Sequence, residues 1–325
     1  MTTLGARRAF LILRADFALI TSVPFSPGRA PRSALSTYIP SYEKAVPDGL
    51  PNDFTKWRLA SSFVHTHDTK ILRFQLPKEI PNLQTIGAPA GIKVRRCIDG
   101  VLLDKSMSPI SHPASEGYVD LLVRSYGHPP ESQGLGAFLC GMMPGDSVEI
   151  KLKPRKLFGG VPWARQGFAN VGLIGCGTGV APLVQIAREI LPADPTATIK
   201  MISAHRTSMD ILLGNEIETL EREYPSRFQN TFVLSSHHGR ISEKHVADNS
   251  CFISPSSFVG EQEGTGIEAH RCHVVVCGTD DFVDTVCGPL IRVAVEGKMK
   301  KRKTQGPLKG LLKSAGFVSS EVTKL

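Results

Sequence analysis

"LIGCGTGVAPLVQIAREIL", residues 173–191, sets three glycines, a threonine and a proline between an apolar run and a helical one. The run that leads into it, "VGLIG" (171–175), is short and continuously apolar, as a strand buried on both faces is. "APLVQIAREIL" reads as a helix with Pro182 in its first turn, where a missing N–H has no partner to lose, and with Pro192 as its stop. That order of strand, glycine turn and helix puts the peptide N–H groups of Gly177 to Gly179 at the carboxyl end of the strand. A pyrophosphate can be met there by free amides and a positive helix end. The spacing is G-x-G-x-G, with Val180 where the dinucleotide fingerprint has its third glycine. Taken alone, the turn fits either a phosphate cradle or a structural bend without a ligand.

Downstream of the turn the alternation of strand and helix continues. "ATIKMISA" (197–204), "FQNTFVLSS" (228–236) and "CHVVVCG" (272–278) read as strands, and "SMDILLGNEIETLEREY" (208–224) as a helix with Leu213, Ile217, Leu220 and Tyr224 on one stripe. This predicts a parallel sheet covered on both faces. The polar stretch 237–270 is expected to be a surface insertion. Upstream, the pattern is different. "TKILRFQL" (69–76), "IKVRRCI" (92–98), "GYVDLLVRSY" (117–126) and "DSVEIKLK" (146–153) are short alternating runs broken by Pro and Gly, which predicts a small antiparallel barrel or sandwich.

The chain has 325 residues and a formal net charge of +8. Half of that charge lies in the first forty residues, where Arg7, Arg8, Arg14, Arg29 and Arg32 face only Asp16. The remainder is nearly balanced, so composition gives no case for nucleic-acid binding. Wound as a helix, the N-terminal segment places Arg7 and Arg14 on one face and Phe10, Leu13, Phe17 and Ile20 on the other, the pattern of a mitochondrial transit peptide. Arg14 and Asp16 spoil it as a secretory signal or membrane anchor, so any membrane association is expected through this segment only. Pro24 to about Asp53 reads as linker. None of the seven cysteines forms a C-x-x-C pair, which argues against zinc ribbons and iron–sulfur clusters and for reduced thiols. His65 and His67 would need further ligands to hold a metal, and none is evident, so no metal site is expected.

Several segments in order resemble the ferredoxin–NADP reductase superfamily and, within it, the NADH–cytochrome b5 reductases. "GCGTGVAPLVQ" is similar to the family's G-G-T-G-I-T-P-x-x-Q, "HRTSMDILL" (205–213) to N-R-T-x-x-D-I-L-L, and "VVVCGTDDF" (274–282) to its C-G-P-x-x-M/F strand end. "GYVDLLVRSY" followed by "MMPGDSVEI" resembles F-x-D-L-x-x-K-x-Y and L-x-P-G-D, and "HDTKILRFQLP" its opening strand. The resemblance spans about residues 54–325 and implies a flavin-binding antiparallel β-barrel at 54–160, followed by a Rossmann-like, nicotinamide-binding α/β domain at 165–325. Residues 1–53 would be targeting segment and linker. It implies FAD and NADH as cofactors. Gly175, Gly177, Thr178 and Gly179 would cradle the dinucleotide, Cys277 and Gly278 would lie at the hydride-transfer face, and Asp210 would disfavour a 2′-phosphate, with the nearby Arg206 leaving NADPH open. Ser108, Thr178 and Cys277 would carry catalysis.

The flavin signature R-x-Y-T/S-x-x-S is altered here to "KSMSPIS" (105–111). Lys105 keeps the charge of the arginine that grips the flavin pyrophosphate but not its planar fork, and Met107 keeps the bulk of the tyrosine but not the ring. Ser108 and Ser111 are retained, Arg124 and Tyr126 fit K-x-Y, and Gln133, Gly134, Leu135 and Gly136 stand in the place of the last four positions of the family's G-G-x-M-S, so that its serine is replaced by Gly136. The resemblance implies a monomeric mitochondrial flavoprotein that passes electrons from NADH to a haem protein, cytochrome b5 or a c-type cytochrome. The basic run "KMKKRK" (298–303) would serve as a docking patch. The altered flavin motif leaves one alternative, a reductase-derived protein of low activity that assists cytochrome assembly or binds a partner.

Overall fold

The computed structural model describes residues 53–83, 91–98, 100–126, 134–153, 168–247, 271–293 and 302–325. The N-terminal segment, residues 248–270 of the polar stretch and residues 298–301 of the basic run lie outside the described residues.

The first lobe is a six-stranded antiparallel sheet: β1 (Thr55–Thr66), β2 (Thr69–Gln75), β3 (Gly91–Ile98), β4 (Val101–Met107), β5 (Tyr118–Arg124) and β6 (Ser147–Lys153), in the order β4-β3-β6-β1-β2-β5. A bridge between Pro109 and Leu121 and a hydrogen bond from Ile110 N–H to Asp120 O (2.8 Å) bring the two edges together into a barrel. The short helix α1 (Leu135–Gly141) packs against it. Period-two burial fills its core with Trp57, Leu59, Leu72, Phe74, Ile92, Val94, Val119, Leu121, Val123 and Ile150.

The second lobe is a five-stranded parallel sheet in the order β13-β10-β7-β8-β9. Its strands are β7 (Phe168–Cys176), β8 (Thr198–His205), β9 (Phe228–Leu234), β10 (Arg271–Cys277) and β13 (Val322–Lys324), and an antiparallel ribbon of β11 (Leu290–Val293) and β12 (Arg302–Gln305) lies outside it. The helices are α2 (Val180–Ala193), α3 (Gly214–Glu223), α4 (Ser235–His238), α5 (Glu243–Ala247), α6 (Asp280–Cys287) and α7 (Gly310–Ser314). Apolar clusters on both faces of this sheet explain why its strands read as continuous apolar runs. Among the described residues, no helix is long and apolar enough to cross a membrane.

Two expected boundaries move. α2 runs through Pro192 to Ala193, because a proline in the last turn forfeits one bond where the helix is ending anyway. The expected helix 208–224 is instead a 3₁₀ turn (Ser208–Asp210), a break at Leu213 and then α3. Leu213 is held in the left-handed region (φ 55°), at a cost of about 1–2 kcal/mol for a residue with a Cβ. Its side chain is fully buried, and its N–H donates to His65 Nε2 (3.1 Å) on the barrel.

β5 joins the lobes. Its Val119, Leu121 and Val123 fill the barrel, while Leu122 on the opposite face joins Ile71 and Ile110 in the apolar cluster built mainly by α2, α3, β7 and β8. Three polar links flank this seam: Leu213 N–H to His65, Arg188 Nη1 to Ile110 O (2.7 Å), and Arg124 Nη2 to Asp210 Oδ1 (3.2 Å).

Each glycine of the turn has its own reason in the packing. Gly177 takes φ 52°, a Cβ on Gly175 would meet Leu183 at 2.6 Å, and a Cβ on Gly179 would meet the Cys277 carbonyl oxygen at 2.5 Å. Val180, fully buried in the core, takes the place of a third glycine. Gly179→Ala therefore drives a methyl into the Cys277–Gly278 backbone, and it should lower unfolding free energy by about 1–3 kcal/mol, read as a shifted denaturant midpoint with an unchanged slope.

Three half-buried or buried histidines, His65, His112 and His205, are held below the ordinary value of 6.5, chiefly by burial, His205 down to about 4. The unfolded chain binds these protons more readily than the native one. Their contribution is therefore fully present above about pH 6.5 and is lost as pH falls below it. The urea midpoint should be lower at about pH 5 than at about pH 7.5, and an unchanged midpoint would show that the rings are not held neutral.

Candidate active site

A cleft of about 1470 Å³ opens between the lobes. From the barrel it is lined by the end of β4 and the residue that follows it (Lys105, Met107, Ser108), by Leu122, Arg124 and Tyr126 around the end of β5, and by Gly136 of α1. From the α/β lobe it is lined by Gly177, Thr178 and Gly179, and by Cys277 and Gly278 at the end of β10. Eleven residues singled out in the sequence, from segments up to 173 residues apart, thus share one cavity wall. Register explains the convergence. β7 and β10 run parallel with Gly175 opposite Cys277, so the glycine turn and the Cys277–Gly278 strand end leave the sheet at the same level.

The barrel side presents cations around an aromatic ring. Lys105 Nζ lies 5.8 Å and the Arg124 guanidinium 5.9 Å from the centre of the Tyr126 ring. Lys153, from β6, donates to Ser106 Oγ (2.8 Å) at the same wall. Arg124 is also spoken for on its other side, where Nε donates to Asp68 Oδ2 (2.6 Å) and Nη2 to Asp210.

Five of the expected residues lie outside the cleft lining. Ser111 is buried and its Oγ accepts from Asp120 N–H (3.1 Å), closing the barrel rather than facing a ligand. Gly134 and Leu135 begin α1, with Leu135 turned into the barrel core. Gly175 packs under Leu183. Asp210 is 2% exposed, and its Oδ2 accepts from Thr207 N–H (3.0 Å) and Oγ1 (2.7 Å). Burial alone would raise the Asp210 carboxyl, but the Thr207 hydrogen bonds and the nearby Arg206 and Arg124 outweigh it and hold it below the usual carboxylate value. The acid is thus the cap of its own turn and half of a link between lobes.

His67, Asp68 and Asp210 cluster closely enough to suggest a cation site, but the Arg124 guanidinium already bridges the two carboxylates. His65, the other member of the histidine pair, spends its Nε2 on Leu213. Sequence reasoning passed over His205 and weighed Arg206 only as leaving NADPH open; both fall in the quoted "HRT" segment, at the carboxyl end of β8 where ligands of such sheets bind, and both line the cleft. Arg206 is 73% exposed and its Nε stands 3.7 Å from Asp210.

The lining suits a flavin beside a nicotinamide dinucleotide. The cleft exceeds the ~300–1,000 Å³ typical of a pocket for one drug-sized ligand. Lys105 and Lys153 offer charge to phosphates, Met107 and Leu122 offer apolar wall, and the Gly177–Gly179 turn offers backbone amides. A Cβ at Gly136 would stand 2.5 Å from the Arg124 carbonyl oxygen, so α1 lies directly on β5 with bare backbone at the cleft. Lys105 and Gly136 would hold the flavin there, and the glycine turn the dinucleotide.

Comparison with known proteins agrees. The oxidoreductase FAD-binding domain model matches residues 56–154, and the oxidoreductase NAD-binding domain model matches residues 173–288. The chain is 31% identical over 294 residues to NADH-cytochrome b5 reductase 1 of Bos taurus, covering 82% of this chain and 92% of that protein. It is 28% identical over 264 residues to NADH-cytochrome b5 reductase 2 of Neurospora crassa, covering 79% and 69%. Its fold matches the cytochrome b5 reductase domain of Ulva prolifera nitrate reductase with a TM-score of 0.61 at 20% identity, over 85% of this chain and 98% of that one. With an FAD-binding barrel and an NAD-binding α/β lobe opening on one shared cleft, this oxidoreductase chain belongs to the NADH–cytochrome b5 reductase family.

Proposed function

We propose that the protein is an NADH-dependent, FAD-carrying reductase that delivers electrons singly to a haem protein, cytochrome b5 or a c-type cytochrome. The observation that carries the reading is the single cleft walled by Lys105, Met107 and Ser108 on one side and by Thr178, Gly179 and Cys277 on the other. When bound, the flavin supplies the conversion between a two-electron donor and a one-electron acceptor, which no side chain can perform. The chain's own residues supply placement. Ser108 offers a hydroxyl at the barrel wall, Thr178 offers another from the glycine turn, and Cys277 closes the wall with a small apolar group. The two lobes, held together at their seam, wall the reactants from both sides and limit the water between them. Localisation to the mitochondrion through residues 1–53, a monomeric state and docking through residues 298–303 belong to the same proposal. Its support is the segregation of Arg7 and Arg14 from the apolar face and the five cations in six residues. A basic patch of that kind speeds encounter with an acidic partner and loses its effect as salt rises.

The test is direct. Purified protein should be yellow, should bleach when NADH is added without oxygen, and should reduce cytochrome b5 or cytochrome c faster at low salt than at high salt. Colourless protein that takes up no added FAD would instead favour the low-activity, partner-binding alternative that Lys105, Met107 and Gly136 motivate. Because a lysine lacks the bidentate fork of arginine and a methionine the ring of tyrosine, the pair Lys105→Arg with Met107→Tyr should tighten FAD binding to the apoprotein by about tenfold, ~1.4 kcal/mol. Asp210→Ala takes the carboxylate away from Arg206, leaves Arg124 with Asp68 alone, and makes the cleft more positive. The ratio of kcat/KM for NADH over NADPH should fall, and an unchanged ratio would remove Asp210 from cofactor choice.

A further inference from the structure

The helix that follows the glycine turn also touches the flavin motif. α2 begins at Val180, directly after Gly177–Gly179 at the cleft, and eight residues on, about 12 Å along the axis, it carries Arg188. Arg188 Nη1 donates to the carbonyl oxygen of Ile110 (2.7 Å), two residues beyond the cleft-lining Ser108. The rest of that segment is fixed by its own barrel: Pro109 bridges Leu121, Ile110 N–H bonds Asp120 O, and Ser111 Oγ accepts from Asp120 N–H. The side chain of Ile110 is buried in the seam with Ile71 and Leu122. The Ile110 carbonyl is therefore where the second lobe takes hold of the "KSMSPIS" segment.

Placing a guanidinium here is costly. Burial pulls Arg188 below the usual arginine range, and Glu216 and Glu223 of α3 act against that pull. His112, on the barrel side, is pushed below its ordinary value by burial and by the Arg188 charge. A cation kept at such a place and spent on one carbonyl across the seam does more than solvate the surface.

We propose that Arg188 is a positioning residue for electron transfer in this cleft. It clamps α2, and with α2 the Gly177–Gly179 turn, to the Lys105–Ser111 segment, and so sets the separation between the dinucleotide and flavin sites. The proposal rests on the FAD- and NADH-dependent reading above. Arg188 touches neither site, so its loss should leave each affinity alone and change only how the two sites face one another.

Arg188→Met and Arg188→Lys test this with FAD binding to apoprotein, NAD⁺ binding, and the long-wavelength absorbance that arises when a nicotinamide ring lies flat against a flavin. In R188M both affinities should stay within about twofold of wild type, while the absorbance band weakens and the rate of flavin reduction at saturating NADH falls about tenfold, since misplacement of an ångström or less is enough for that. R188K keeps the charge but replaces a fork by a single mobile donor, and it should lie between R188M and wild type in both readouts. A band and rate equal to wild type in R188M, or a loss confined to the affinities, overturns the proposal. If R188M does not fold, R188K decides it: a band and rate equal to wild type overturn the proposal, and a weakened band with retained affinities upholds it. Wild-type protein that takes up no FAD overturns the oxidoreductase reading and this inference together, whereas a competent wild type with indifferent variants overturns this inference alone.

Discussion

β5 has no free face. Val119, Leu121 and Val123 are committed to the barrel and Leu122 to the neighbouring lobe, with Asp120 held by Arg73 through two bonds of 2.7 and 2.8 Å. One strand is thus wall to two cores, and the cleft runs along the line where it leaves them, at Arg124 and Tyr126. An interface of this kind, apolar within and bonded at its flanks, cannot slide without exposing Ile71, Ile110 and Leu122 to water. At roughly 1.5–3 kcal/mol for each such side chain, that opening is expensive. The relative placement of the two ligand walls is therefore a property of the folded seam and not of a flexible linker.

Charge is arranged along the same line. Arg124 pairs with Asp68 in its own lobe and Asp210 in the other, while Arg188 reaches across to a carbonyl with Glu216 and Glu223 behind it. Both cations stand at the margin of the apolar contact, where half-burial strengthens a hydrogen bond without the full penalty of stripping a charge of water. Lys105 and Lys153 line the cleft itself, where Arg124 joins them. The same residue class serves as bracing at the seam and as attraction in the cavity, and position alone distinguishes the two uses.

What the sequence made legible follows from local rules. The change from period two to alternating apolar strand and amphipathic helix separated the lobes, and the glycine turn located the ligand end of the parallel sheet. Eleven of the residues taken from motif resemblance meet at the cleft because motif residues at strand ends are placed by the backbone. The misses are tertiary. Nothing local distinguishes Ser108, which lines the cleft, from Ser111, which bonds Asp120 inside the barrel. Leu213 interrupts a good helical stripe because His65, 148 residues away, accepts its N–H. Arg188 looks like an ordinary helix-surface cation until the barrel is packed against it.

The glycine turn itself has a consequence for lineage. Gly175 yields to Leu183, Gly179 to the backbone of Cys277, and Gly177 to its own left-handed dihedral. Each demand comes from the protein, with no ligand involved. A descendant that ceased to bind dinucleotide would still be selected to keep all three, because losing them would damage the sheet before it mattered to catalysis. Glycines kept at these three positions in a relative would thus record ancestry of architecture. Drift at Thr178 or Lys105, whose side chains answer to the cavity, is where a change of trade would first be written.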